Sequence, residues 1–95
     1  MAIVRSTSGW EVELGNRVRL VRKQRKMTQQ ELADRSNVSR SAIKYLEAGK
    51  GSSLATFLNV VRALDLDEEL DRIFAKVSTI SPLALLQAEK KTGHM

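Results

Sequence analysis

The chain of 95 residues has no cysteine, one proline, one histidine and only 4% aromatic residues. Each scarcity removes a class of protein. Without cysteine there is neither a disulfide framework nor a thiolate metal site, and such a composition suits a reducing cytosol. The one histidine, His94, is next to last, and no carboxylate pair is spaced for acid–base work. No catalytic residue, metal site, cofactor or small-molecule ligand is therefore expected. Long apolar runs are also missing, so nothing is expected to span a membrane, and "MAIVRSTSGW" lacks the apolar centre of a signal peptide. The expected location is cytoplasmic. The stretch "AGKGSS", Ala48 to Ser53, is superficially like the end of a phosphate-binding loop. The first glycine that loop needs is absent, however: Lys44 stands five residues before Gly49, and no strand precedes it.

What is present is charge, unevenly placed. The net charge is +5. Residues 1–50 hold 11 Lys/Arg against 5 Asp/Glu, whereas residues 51–95 hold 5 against 6. A basic half joined to a near-neutral half points to a polyanionic partner at one end only. A solvated basic surface is the plain alternative.

Helical signals follow one another closely. Val12, Leu14, Val18 and Val21 recur at helical spacing and predict a helix over 11–26. "TQQE", Thr28 to Glu31, is a capping-box sequence that starts a second helix at Gln29, running to about Arg35. Ser39 caps a third over 40–47, stopped by Gly49, and Ser53 caps a fourth over 54–64. Asp67, followed by two glutamates, opens a fifth that reaches about Lys76. No run alternates with period two between 11 and 76. The expected organisation is an N-terminal arm (1–10), an all-α domain (11–76) and a partly disordered C-terminal tail (77–95).

Only Ser36, Asn37 and Val38 separate the second helix from the third, which forces a tight turn and a large crossing angle. Ala33 is small where the two helices approach, and Asn37 tolerates the positive φ the turn requires. Ile43 and Leu46 point inward, with Leu32 and Val38 as partners. Arg40, Ser41, Lys44 and Tyr45 then share a ~140° arc on the outside, at ~100° per residue. The spacing describes a helix-turn-helix whose third helix keeps one face free.

"MTQQELADRSNVSRSAIKYLEAGKGSSLATFLNVVRALDL" closely resembles the Cro/repressor-like (XRE) family of bacterial and phage transcription regulators, over about residues 12–75. The resemblance implies a five-helix, lambda-repressor-like bundle whose third helix enters the DNA major groove. It implies base-reading roles for Arg40, Ser41, Lys44 and Tyr45, and phosphate contacts for Gln29 and Ser39. It also implies an ion pair between Arg22 and Glu47 that braces the first helix against the third. Asn37 stands where the family most often has glycine.

The residue types fit these roles. A guanidinium can pair bidentately with guanine, so Arg40 is a base reader; its plain alternative is a phosphate contact. Lys44 and Ser41 can serve a base edge or a phosphate. Tyr45 can meet a thymine methyl or a phosphate, or pack on its neighbours. Arg19, Lys26 and Lys50 are further phosphate candidates. The apolar residues of 54–74 read first as core, and the surplus at Leu66, Leu70, Ile73 and Phe74 fits a homodimer interface. A two-fold dimer would present two third helices ~34 Å apart to a palindromic operator on double-stranded DNA.

"SSLATFLNVVRALDLDEELDRIF" with the tail "SPLALLQAEKK" resembles, more loosely, the HipB-type antitoxins, which implies a HipA-like kinase toxin as partner and repression of the shared operon. A stand-alone or restriction–modification controller regulator is the alternative. A helical bundle that binds only protein is a third reading, against which the basic first half argues.

Overall fold

A computed structural model describes residues 5–75 together with 83, 86 and 87. Five helices follow in order: α1 (Thr7–Gln24), α2 (Gln29–Ser36), α3 (Arg40–Glu47), α4 (Leu54–Ala63) and α5 (Asp67–Asp71). No strand occurs among the described residues, and none of their helices is long and apolar enough to cross a membrane. α1 packs on α3, and α2 packs on both α3 and α4.

Four of the five starts are fixed by a side-chain cap. The hydroxyls of Ser6, Thr28, Ser39 and Ser53 each accept a backbone N–H three residues on, at 3.0–3.1 Å. At α2 the box is complete, because the Thr28 N–H also donates to the Glu31 carboxylate at 2.8 Å. The backbone N–H of Thr28, and then its hydroxyl, hold the Glu31 carboxyl below its ordinary value of 4.5. Such a group stabilises the fold above its unfolded value, and the contribution is lost as pH falls through the depressed one. Glu31→Gln keeps the box but removes the titration. Thermal melts between about pH 6 and pH 3 should therefore fall less steeply for the variant than for the parent.

Four helices stop in the same way. The residues after α1, α2, α3 and α4 include one at positive φ: Lys26 (58°), Asn37 (56°), Gly49 (74°) and Asp65 (58°). At each, that N–H bonds back three residues and the next N–H bonds back five, as in Met27 to Arg22 and Lys50 to Tyr45. After three of these stops comes an apolar residue, Met27, Val38 or Leu66, that packs into or against the core. The left-handed turn is thus held from below by burial rather than only by the residue that adopts it.

The core is Val18, Met27, Leu32, Ala33, Ile43, Leu46, Val60 and Leu64. Four expectations are corrected. α1 starts at Thr7 rather than at 11, because Ser6 caps it, so residues 7–10 belong to the helix and not to an arm. Its inward stripe is Gly15, Val18 and Arg22, whereas Val12 is 57% exposed. α5 ends at Asp71: the N–H groups of Arg72 and Ile73 reach back only three residues, and Phe74 then takes φ 64°. Lys76, the expected end, lies outside the described residues, as do residues 1–4 and the tail except 83, 86 and 87. Of the apolar residues first read as core, Leu54, Ile73 and Phe74 are exposed.

Candidate nucleic-acid interface

α3 is anchored by one face and offered by the other. Ile43 is fully buried and Leu46 nearly so, while Arg40, Ser41, Lys44 and Tyr45 are all exposed. The Lys50 ammonium stands 5.6 Å from the centre of the Tyr45 ring, a cation–π contact that holds the phenol against the α3–α4 loop. Beside the ring is an open cleft lined by Ser39, Ser41, Gly51, Ser52 and Thr56. The N-terminal turn of α4 forms its far wall.

Beneath this surface Arg22 and Glu47 make a buried, bidentate ion pair. The guanidinium donates from Nε to Oε2 at 2.6 Å and from Nη2 to Oε1 at 3.0 Å. Its remaining donor, Nη1, reaches the Met27 carbonyl at 2.7 Å. One side chain therefore joins α1, the α1–α2 turn and α3. The hydrogen bond to Glu47 pushes the Arg22 pKa up; burial works against this and the Glu47 charge adds to it. The Gln29 amide also donates to Glu47 Oε1, at 3.1 Å, which ties the start of α2 to the same carboxylate. No buried side-chain nitrogen or oxygen among the described residues lacks a partner.

α1 and α3 are in backbone contact. A Cβ at Gly15 would land on the Leu46 carbonyl oxygen, 3.3 Å from the Gly49 nitrogen, so this position admits no side chain.

A helix-turn-helix family model matches residues 18–70, more than half of the chain and the whole span from the middle of α1 to α5. The chain belongs to the XRE-type helix-turn-helix family. No curated protein matches its sequence. The fold is lambda-repressor-like, and the protein is a DNA-binding transcriptional regulator.

In the regulator, Ser39, Arg40, Ser41, Lys44, Tyr45 and Lys50 are gathered at one surface. Gln29 is half-buried and committed by one amide hydrogen to Glu47. Arg19 and Lys26 are exposed on α1 and in the turn after it, and no hydrogen bond or ion pair joins either to α3 among the described residues. Leu66, Leu70 and Ile73 line an apolar cleft against Leu14, Val21 and Phe57, whereas Phe74 points away, 78% exposed. Sequence reasoning missed Gly15 and the Met27 carbonyl. A glycine inside an otherwise helical run was the available signal for the first, since it usually marks a close packing approach.

Proposed function

We propose that the regulator binds a palindromic operator as a homodimer, with α3 of each copy in the major groove. Arg40, Ser41, Lys44 and Tyr45 meet base edges, while Ser39, Gln29, Arg19, Lys26 and Lys50 meet phosphates. The observation that carries this reading is the pairing of four adjacent exposed side chains with a helix clamped from behind by Ile43, Leu46 and the Arg22–Glu47 pair. Rigid support matters because base contacts discriminate only when held in register. The apolar surface at Leu66, Leu70, Ile73 and Phe74 supplies the contact between copies. Bound DNA most simply represses transcription by occlusion.

Selection of bound sequences from random duplexes tests the reading directly: an enriched inverted repeat with half-sites ~10 bp apart is expected. Arg40→Ala should relax preference at one base-pair position, with a loss of about 1–3 kcal/mol against the mismatch. Equal losses on operator and random DNA would instead make Arg40 a phosphate contact. Operator affinity should also fall steeply and linearly with salt on logarithmic axes, as phosphate counterions are released. A flat response would remove the phosphate contacts from the scheme.

An antitoxin role, with autorepression of a toxin–antitoxin operon, is supported by two leucines beyond the bundle. Leu83 and Leu86 are 65% and 57% exposed, and so are free to meet a protein such as a HipA-like kinase. A kinase-like reading frame beside the gene, whose product binds the chain, is the expected finding. A neighbouring methyltransferase or endonuclease gene would favour the controller regulator.

A further inference from the structure

Two charged features lie outside the candidate DNA-reading face. The first is a polar cleft where the ends of α2 and α4 meet, lined by Arg35, Asn37, Asn59 and Arg62. Each arginine sits in the last turn of its helix, where the helix dipole favours a cation. Both are exposed, and among the described residues neither has an ion-pair partner. The second feature is α5. Five of the six acidic residues after position 50 fall between Asp65 and Asp71. Asp67, Glu68 and Asp71 are exposed and likewise unpaired among the described residues, whereas Asp65 and Glu69 face Arg25 and Arg72.

α4 keeps the two features apart within one copy. Phe57, Val61 and Leu64 look toward the cleft shared with α1 and α5, whereas Asn59, Arg62 and Ala63 look toward the arginine cleft. At ~100° per residue these sets fall on opposite faces of the helix. Within one copy the arginine cleft and α5 therefore form no ion pair with each other among the described residues, which leaves the opposite charges of both open to a different copy. Such a contact joins unlike surfaces, so it does not close on itself and can continue as a row. A row suits DNA, which offers a linear support and aligns the copies.

We propose that Arg35 and Arg62 receive the acidic face of α5 from a neighbouring copy, and that this contact makes binding to adjacent DNA sites cooperative. Exposed ion pairs are individually weak, so the contact does not assemble copies free in solution. DNA supplies the missing part by raising the effective concentration of one copy beside the next. The acidic helix then lies against protein on the row instead of against phosphates, which would repel it. The inference rests on DNA binding alone and does not require the operator to be palindromic.

The test compares occupancy of a duplex with room for one copy or dimer against a long duplex of random sequence. On the long duplex, the parent should bind with ~10-fold cooperativity that fades with salt. Arg35→Glu with Arg62→Glu should abolish cooperativity and leave short-duplex affinity unchanged, as should Glu68→Lys with Asp71→Lys. A chain carrying all four changes should regain cooperativity, because the charges are exchanged on both surfaces. Since the chain has no cysteine, Arg62→Cys with Glu68→Cys should give a ladder of disulfide-linked species beyond the dimer on long DNA. Non-cooperative binding by the parent, or a cleft variant that weakens short-duplex binding without rescue by the α5 changes, would overturn the proposal. The second result would make Arg35 and Arg62 phosphate contacts. Failure of base reading would appear instead as no enriched sequence in the selection, with random-duplex cooperativity untouched.

Discussion

Glu47→Ala is expected to destabilise the regulator by about 3–5 kcal/mol, because it leaves the Arg22 guanidinium buried without its anion. The pair is deeply enclosed, with side-chain exposures of 9% and 3%, so solvent cannot take over the lost contact. A domain of this size has only ~5–15 kcal/mol in hand, and the variant would spend a large part of it. The loss reaches function as well, since α3, the α1–α2 turn and Gln29 all hang on these two side chains. Urea unfolding should show a lower midpoint with an unchanged slope. Replacing both partners by apolar residues of similar volume, Arg22→Met with Glu47→Leu, should recover most of the loss, because neither charge is then stranded. A cost under about 1 kcal/mol for Glu47→Ala, the range of exposed pairs, would show that the pair does not clamp α3.

Gly15→Ala should be nearly as damaging, and its sign is opposite to the usual one. In the middle of a helix, glycine to alanine normally gains about 0.5–1 kcal/mol. Here the added methyl collides with the Leu46 carbonyl oxygen and crowds the Gly49 nitrogen, both backbone atoms and not a side chain that can rotate away. Overpacking that side chains can absorb costs about 1–3 kcal/mol, and a backbone collision belongs at or above the top of that range. A fall in Tm of more than about 10 °C is expected, at ~4–8 °C per kcal/mol for domains of this length. If the helices separate rather than the domain unfolding, α3 is carried outward. Operator affinity should then drop even well below the melting temperature. A variant of parental stability and affinity would mean that α1 and α3 do not approach as closely as the structure has them.

The helix starts at Gln29, Arg40 and Leu54 were legible in sequence to the residue, because a cap is a local device: one hydroxyl meets an N–H three positions on. The outward arc of α3 was legible for a related reason, since periodicity fixes which side chains share a face. Ends were harder. Asn37 and Gly49 announce themselves as residues that accept positive φ. Lys26 and Asp65 do not, and their turns are set by the apolar residue that follows, Met27 or Leu66, finding the core. The end of α5 failed because apolar residues at Ile73 and Phe74 kept the helical period after the backbone had left it. The Arg22–Glu47 pair bridges 25 residues, so no local pattern reveals it; the family resemblance did. Gly15 was visible as a letter, but its meaning depends on where the Leu46 carbonyl comes to rest in three dimensions.

Short connections also set how long a copy of this regulator lasts. The helices are joined by the segments 25–28, 37–39, 48–53 and 64–66, so the pairs that build the core, α1 with α3 and α2 with α3 and α4, are at most one helix apart in the chain. Chains with such local contacts fold in microseconds to milliseconds. An opened copy then recloses faster than a protease cuts it, and degradation follows the equilibrium fraction that is open rather than the rate of opening. The cellular level of the regulator is thereby coupled to its free energy of folding. Small changes in the packing of α1 on α3 would alter gene control by altering the number of molecules, before any of them changes what it reads.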